Sequence, residues 1–264
     1  VGLQDAYLTY EIIVEGGLTR IMAIFKDVNT GVIGPVRSSR HYFLDYAIES
    51  DAIYSHYGWS TFAQNDIKAL GVNNINGLYD NGYYRNRNIA APHNVFTSIE
   101  DLYNVAGSKG YSTTSDNYSL LNYSPDDVNF DATSDLLTAN NVSMTYSYSE
   151  VRSYTYDSTN RYYLRYMNNS PHTDRDSGEG YHYKNIIIMK VNNSTLDSYG
   201  RQDLDTVGSG EGYYITNGYA IPITWSKDSR SGKTRYYYND KEIVVSDGNT
   251  MIQVVPVNSS ITIS

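Results

Sequence analysis

The chain contains no cysteine among its 264 residues. Disulfides, thiolate metal sites and a cysteine nucleophile are therefore excluded together, and an oxidising compartment carries no cost for it. Proline is sparse, with 6 residues, and phenylalanine sparser, with 5. No apolar run approaches the roughly 18 residues that span a bilayer as a helix. Positive charge is also in short supply: the formal net charge is -9 and the isoelectric point is near 4.9. Counterion release on nucleic acid needs a basic face, so nucleic acid is not expected as a partner. The chain starts at Val1, and the expectation is a mature extracytoplasmic segment whose export signal lies upstream.

What is abundant is tyrosine, 29 residues of it. A buried phenol needs a hydrogen-bond partner where phenylalanine needs none, so many of these rings are expected half in water on amphipathic strands. Sugar-binding aromatic platforms are the functional alternative.

The pattern along the chain predicts an α+β protein: an N-terminal mixed α/β domain over 1–129, then a mainly antiparallel β domain over 130–264. Tyr7 to Glu15 and Leu18 to Lys26 read as a hairpin around Gly16-Gly17, whose turn demands positive φ. A helix is expected over Ser38 to Glu49, with Tyr42, Phe43, Tyr46 and Ala47 on one face, followed by a short strand over Ala52 to Tyr57. A second helix starts at Ser60-Thr61, turns Phe62, Ile67 and Leu70 inward and stops at Gly71. A third runs from Ser98 through Ala106 and closes at Gly107 and Gly110. Ser112 to Asp135 reads as a linker. Beyond it, strands are expected over Val142 to Tyr148, Tyr162 to Met167, Ile186 to Val191, Gly212 to Thr216, Ala220 to Trp225, Thr234 to Tyr238 and Met251 to Val255, with turns at Asp157-Ser158-Thr159-Asn160, Asn217-Gly218 and Asn239-Asp240.

The segment Gly34-Pro35-Val36-Arg37-Ser38-Ser39-Arg40-His41 concentrates the chemistry. If Ser38 or Ser39 caps a helix, free N–H groups and the guanidinium forks of Arg37 and Arg40 form an anion site. The competing reading pairs both arginines with Glu11 and Glu15 as a lock. Arg85, Arg87, His93 and Asn94 form a second polar cluster, in which His93 is expected to hydrogen-bond a loop backbone and hold it in place, the alternative being a general base oriented by a carboxylate such as Asp66 or Asp80. No nucleophile motif accompanies it. No transition-metal motif is present, and Asp174, Asp176, Gly178 and Glu179 read as an acidic turn rather than a calcium loop. Val207-Gly208-Ser209-Gly210-Glu211-Gly212 lacks the lysine of a phosphate loop, so its glycines are expected at a bend or bulge. Trp59 and Trp225 are expected in the core, with a site rim as the alternative for each.

Taken together, Tyr10 to Arg20, Ile33 to Arg40, Ala91-Pro92-His93-Asn94, Ser170-Pro171-His172-Thr173-Asp174, Gly200-Arg201-Gln202-Asp203, Val207 to Gly210, Trp225-Ser226-Lys227 and Ile252 to Pro256 resemble, in order, the motifs of the YerB-like family of bacterial lipoproteins. The resemblance implies two domains and a lipid-anchored place on the outer face of a bacterial membrane. It implies no activity, because the family's function is unknown. His41 stands where relatives often have proline.

The resulting expectation is a cell-surface protein that binds an anionic glycan, peptidoglycan fragment or lipid head group in an interdomain cleft. Its ligand residues would be Arg37, Ser38, Ser39, Arg40, Arg85, Arg87, His93 and Asn94, with no cofactor and no metal. Its only membrane contact would be an N-terminal lipid anchor outside these 264 residues. A hydrolase of envelope polymers using His93 and a protein–protein scaffold are the alternatives.

Overall fold

The computed structural model describes residues 1–115, 119–130 and 135–264. Positions 116–118 and 131–134 of the expected linker lie outside the described residues. The chain forms two compact units. One comprises Val1–Asp5, Phe25–Leu120 and Arg230–Lys233; the other comprises Ala6–Ile24, Leu121–Ser229 and Thr234–Ser264. The division is not the single cut expected at 129/130. Strand β1 (Leu8–Ile13) pairs in parallel with Thr250–Pro256 and antiparallel with β2 (Thr19–Ile24). Those ladders satisfy its buried backbone groups inside the second unit, which takes the hairpin with it. Gly16 and Gly17 supply the expected positive φ, 69° and 72°, at the hairpin's turn.

The first unit is α/β. Helix α1 (Phe43–Glu49) buries Phe43, Leu44, Tyr46 and Ala47. It begins later than the Ser38 start that the sequence suggests, because Arg37 to Ser39 is extended. Tyr57 N–H donates to Arg37 O at 3.0 Å, Ser39 N–H to Gly58 O at 2.9 Å and Ser60 N–H to Ser39 O at 3.1 Å. These tertiary bonds outweigh local helix propensity. Strand β3 (Tyr54–His56) then leads through α2 (Thr61–Leu70) to β4 (Asn74–Asn76), which pairs with β3 in parallel. Ser60 caps α2 by accepting from Ala63 N–H, and Gly71 ends it in the left-handed region. Its buried face is Ala63 and Ile67; Phe62 and Leu70 are exposed, contrary to expectation. The hairpin β5 (Tyr84–Arg85) and β6 (Val95–Phe96) precedes α3 (Ile99–Ser108), which Ser98 caps. Helix α3 runs through Gly107, and the left-handed residue beyond it is Gly110. Ile75, Val105 and Ala106 form the local core with Ile53, Tyr83, Leu102 and Tyr111 against them.

The second unit is mainly antiparallel β. Its nine-stranded sheet runs β2, β1, Thr250–Pro256, Asn185–Val191, Gly208–Thr216, Tyr219–Lys227, Arg235–Tyr238 and Lys241–Glu242, with Leu137–Thr138 paired to Tyr219–Lys227. Ile186, Ile187, Ile188 and Met189 are all inaccessible, the continuous burial of a strand covered on both faces. Each such side chain contributes about 1.5–3 kcal/mol. A second sheet orders Ser170–Pro171, Tyr162–Met167, Glu150–Asp157, Asn141–Ser147 and Ile261–Ile263, with His182–Tyr183 also on Tyr162–Met167. Glu150–Asp157 and Ile261–Ile263 have no counterpart among the strands expected from sequence.

Several tyrosines expected half in water are buried, among them Tyr10, Tyr146, Tyr154, Tyr163, Tyr183 and Tyr214. Hydroxyls among them find partners: Tyr146 donates to Glu11 O with Gln253 Oε1 also in reach, and Tyr214 donates to Asn185 Oδ1. The glycine-rich run is strand rather than bend. A Cβ at Gly212 would collide with Ile188 O, and one at Gly210 would lie 2.9 Å from Lys190 O. Trp225 is buried and donates from Nε1 to Lys190 O. Trp59 is half-buried.

Candidate functional site

In the first unit, the parallel pair β3/β4 delivers two short loops at its carboxyl end, Tyr57-Gly58-Trp59 and Gly77-Leu78-Tyr79. The extended segment Arg37 to Ser39 lies beside the first, with Ser39 and Trp59 in a parallel bridge. Carboxyl ends of parallel strands are where α/β folds place ligands, because the loops there converge while the strands stay fixed. His56 and Asn76 fix these loops from below. Both are buried, His56 Nδ1 bonds Gly58 O at 2.8 Å, and Asn76 Oδ1 accepts from Gly58 N–H and Leu78 N–H at 2.9 and 3.1 Å. Burial holds His56 below its ordinary pKa of 6.5. The imidazole stays neutral as a positioning group.

Onto this frame the fold brings four of the expected residues. Arg37 Nη1 donates to Pro92 O at 2.6 Å. Arg85 donates from Nη1 to Asn94 Oδ1 at 2.8 Å and from Nη2 to the Tyr57 hydroxyl at 3.1 Å, with its guanidinium carbon 5.1 Å from the Tyr57 ring centroid. Ser38 Oγ donates to Tyr57 O at 3.1 Å. Arg37, Ser38, Arg85 and Asn94 are thus tied together through Tyr57 and the Pro92–Asn94 turn. Arg87 and His93 are exposed on the same β5–β6 connection.

Ser39 and Arg40 depart from expectation. Helix α1 has Tyr42 at its N-cap position with no side-chain cap, so neither serine caps it. Ser39 is 1% exposed, with its backbone N–H and C=O both occupied. Arg40 folds back so that Nη1 donates to Ser39 O at 2.7 Å. The anion nest at a helix start does not form, because tertiary strand-like pairing claims its amides.

The expected acidic partners are engaged elsewhere. Glu11 lies in the second unit between Arg152 Nε at 2.5 Å and Arg165 Nη2 at 2.8 Å, all three inaccessible or nearly so. Burial alone would raise the Glu11 pKa, but the Arg165 and Arg152 charges and a Thr19 hydrogen bond carry it from 4.5 down to about 2. Glu15 lies 3.7 Å from Arg20. Asp80 pairs with Lys109 at 2.9 Å, and Asp66 with Arg230 at 2.6 Å, so neither orients His93. Among the described residues the His93 side chain has no carboxylate partner, so the expected orienting pair with Asp66 or Asp80 does not form. Asp174 turns its oxygens inward, to Asp176 N–H and to the Tyr181 hydroxyl, both at 2.8 Å. Among the described residues no three metal-ligating side chains cluster.

Two features had no local sequence signal. Tyr57 and Tyr79 are ordinary aromatic residues until the β3/β4 crossover aligns their loops beside Trp59. Arg230 comes from a loop far along the chain, yet reaches Asp45 at 2.5 Å, Asp66 at 2.6 Å and His41 O at 3.1 Å.

The fold is that of a two-domain α+β protein whose α/β unit ties Arg37, Ser38, Arg85 and Asn94 together around Tyr57. Residues 1–112 match the N-terminal domain, and residues 142–252 the C-terminal domain, of a protein of unknown function, DUF3048. The chain is 30% identical over 263 residues to "Putative lipoprotein YerB" of Bacillus subtilis (strain 168), covering 97% of this chain and 76% of that protein. The crystal structure of YerB protein from Bacillus subtilis aligns with a TM-score of 0.87 at 28% identity, over 99% of this chain and 88% of that one. The chain belongs to this DUF3048, YerB-like family, whose function is unknown.

Proposed function

We propose that the protein is a non-catalytic binding protein of the bacterial cell surface that holds an anionic ligand between Arg37 and Arg85. One observation carries the reading. Both guanidinium groups are positioned by neutral acceptors, Pro92 O, Asn94 Oδ1 and the Tyr57 hydroxyl, and among the described residues neither pairs with a carboxylate. In a chain of net charge -9, carboxylates are plentiful. Two forks oriented without neutralisation keep both their charge and spare N–H donors for a guest. Arg87 and His93 add exposed polar groups on the same connection. The name of the Bacillus relative supports a lipid-anchored, extracytoplasmic location.

The test is calorimetric titration of the protein with inorganic phosphate and with a carboxylated sugar at low salt, repeated with Arg37→Gln/Arg85→Gln. The reading expects saturable binding that salt weakens and the double substitution abolishes. Equal binding by the variant would refute it.

A further inference from the structure

The other charged clusters among the described residues are accounted for by their own partners, including the ionic core around Glu11, the Arg230 pairs and the acidic turn at Asp174. What remains is the aromatic half of the β3/β4 carboxyl end, which anion binding alone does not use. We infer that the ligand is a carbohydrate bearing an acidic group, with a sugar ring lying on Tyr79 and Trp59 while its carboxylate or phosphate reaches Arg37 and Arg85. The inference rests on the anion reading above and names its substrate class.

The geometry supports it in three ways. The Trp59 and Tyr79 rings lie 5.8 Å apart, inclined at 40°, and Tyr79 is 74% exposed although it follows closely on a fixed strand end. A large ring held outward beside a second ring offers the negatively polarised faces on which the C–H face of a pyranose packs. The two ring-bearing loops are also set close to Ser38 and to Tyr57, whose ring centroid lies 5.1 Å from the Arg85 guanidinium carbon. A Cβ at Gly58 would lie 3.2 Å from Ser38 Oγ and 3.5 Å from Leu78 Cδ1, and one at Gly77 would collide with the Tyr57 ring at Cδ2. Glycine at both positions lets the Arg37–Ser38 segment, the Tyr57 ring and the Leu78-Tyr79 loop share one small surface. Finally, the cations are few and forked. The segments 33–60 and 74–97 contain no lysine, and their four arginines are matched in number by Asp45, Glu49, Asp51 and Asp80. Attraction to an anionic lipid surface uses clusters of about four to eight lysines and arginines acting as diffuse charge. Two neutral-anchored arginine forks instead match the planar geometry of one carboxylate or phosphate.

The experiment compares wild type, Tyr79→Ala and Arg37→Gln/Arg85→Gln against four probes. These are the acidic disaccharide N-acetylglucosaminyl-N-acetylmuramic acid, the neutral di-N-acetylchitobiose, inorganic phosphate, and vesicles of phosphatidylglycerol with phosphatidylcholine. Tyr79 is a surface ring, so its removal leaves the fold intact, and acrylamide quenching supplies a second readout. Trp225 is 2% exposed, so ligand protection of fluorescence reports Trp59. The inference expects the acidic disaccharide to bind wild type and protect Trp59. It expects at least tenfold weaker binding by each variant, weak binding of chitobiose, and no uptake by vesicles. Undiminished binding of the disaccharide by Tyr79→Ala, with the arginine variant still impaired, overturns the sugar inference and leaves the anion reading standing. Arginine-dependent vesicle binding without disaccharide binding overturns it in favour of a lipid head group. Failure of wild type to bind the disaccharide at millimolar concentration overturns it too. Binding unaffected by the arginine substitutions overturns the anion reading itself.

Discussion

Arg165 donates from Nε to His172 Nδ1 at 2.9 Å. An acceptor nitrogen in that position is unprotonated, and burial together with the Arg165 charge lowers the His172 pKa from 6.5 to about 3. The unfolded chain therefore takes up a proton below pH 6.5 that the folded chain refuses until about pH 3. Stability falls with decreasing pH across that window. His56, also shifted down, adds to the same slope. Glu11, lowered from 4.5 to about 2, steepens it below pH 4.5. Urea midpoints measured from about pH 7 to about pH 4 should fall steadily, and His172→Gln should flatten the fall. A pH-independent midpoint in wild type would contradict this.

The Glu11 carboxylate faces Arg152 and Arg165 and accepts from Thr19 at 2.7 Å and Gln253 at 3.0 Å. Removing its charge leaves the buried Arg165 guanidinium without a carboxylate and Arg152 with Glu150 alone, a loss of about 3–5 kcal/mol. Glu11→Gln should show that loss in equilibrium denaturation. The surface control is Glu242, whose partner Arg235 is 37% exposed at the side chain. Glu242→Gln should cost less than about 1 kcal/mol.

Gly212 sits where its strand passes Ile188 O too closely for any side chain. Gly212→Ala should destabilise by about 1–3 kcal/mol through overpacking, read as a lower thermal midpoint. Gly178→Ala is the contrast, since nothing lies within 4 Å of its Cβ position. Any cost there comes from φ of +77° alone.

Arg230 holds Asp45, which is 5% exposed at the side chain, and Asp66 on α1 and α2. Arg230→Met should cost about 1 kcal/mol, because the arginine is about one-third exposed and solvent screens part of the attraction. Hydrogen exchange should accelerate in residues 41–66. Unchanged protection there would remove Arg230 as the group that fixes these helices.

The parts legible in sequence are those written locally. Gly16-Gly17, the Ser60 cap and Gly71 stop of α2, the Ser98 cap and the paired positive φ of Asn217-Gly218 and Asn239-Asp240 all follow from backbone chemistry within a few residues. The strand Glu150–Asp157 escapes such reading because its inward residues include Arg152 and Tyr154, which bury a hydrogen-bonded ionic network rather than apolar surface. Hydrophobic alternation cannot flag such a strand. The helix expected from Ser38 fails for a different reason: the amide of Ser39 belongs to Gly58 and that of Tyr57 to Arg37, a pairing set by residues well separated along the chain. Of the candidate site, Arg37, Ser38, Arg85 and Asn94 are visible as polar clusters. Their meeting at Tyr57, and the Trp59–Tyr79 ledge beside them, depends on the β3–α2–β4 crossover.

The most direct measurement is the affinity of wild type and of Arg37→Gln/Arg85→Gln for the acidic disaccharide at two salt concentrations. Saturable wild-type binding that weakens with salt and is at least tenfold weaker in the variant is the predicted result. Identical titrations for the two proteins would contradict the account.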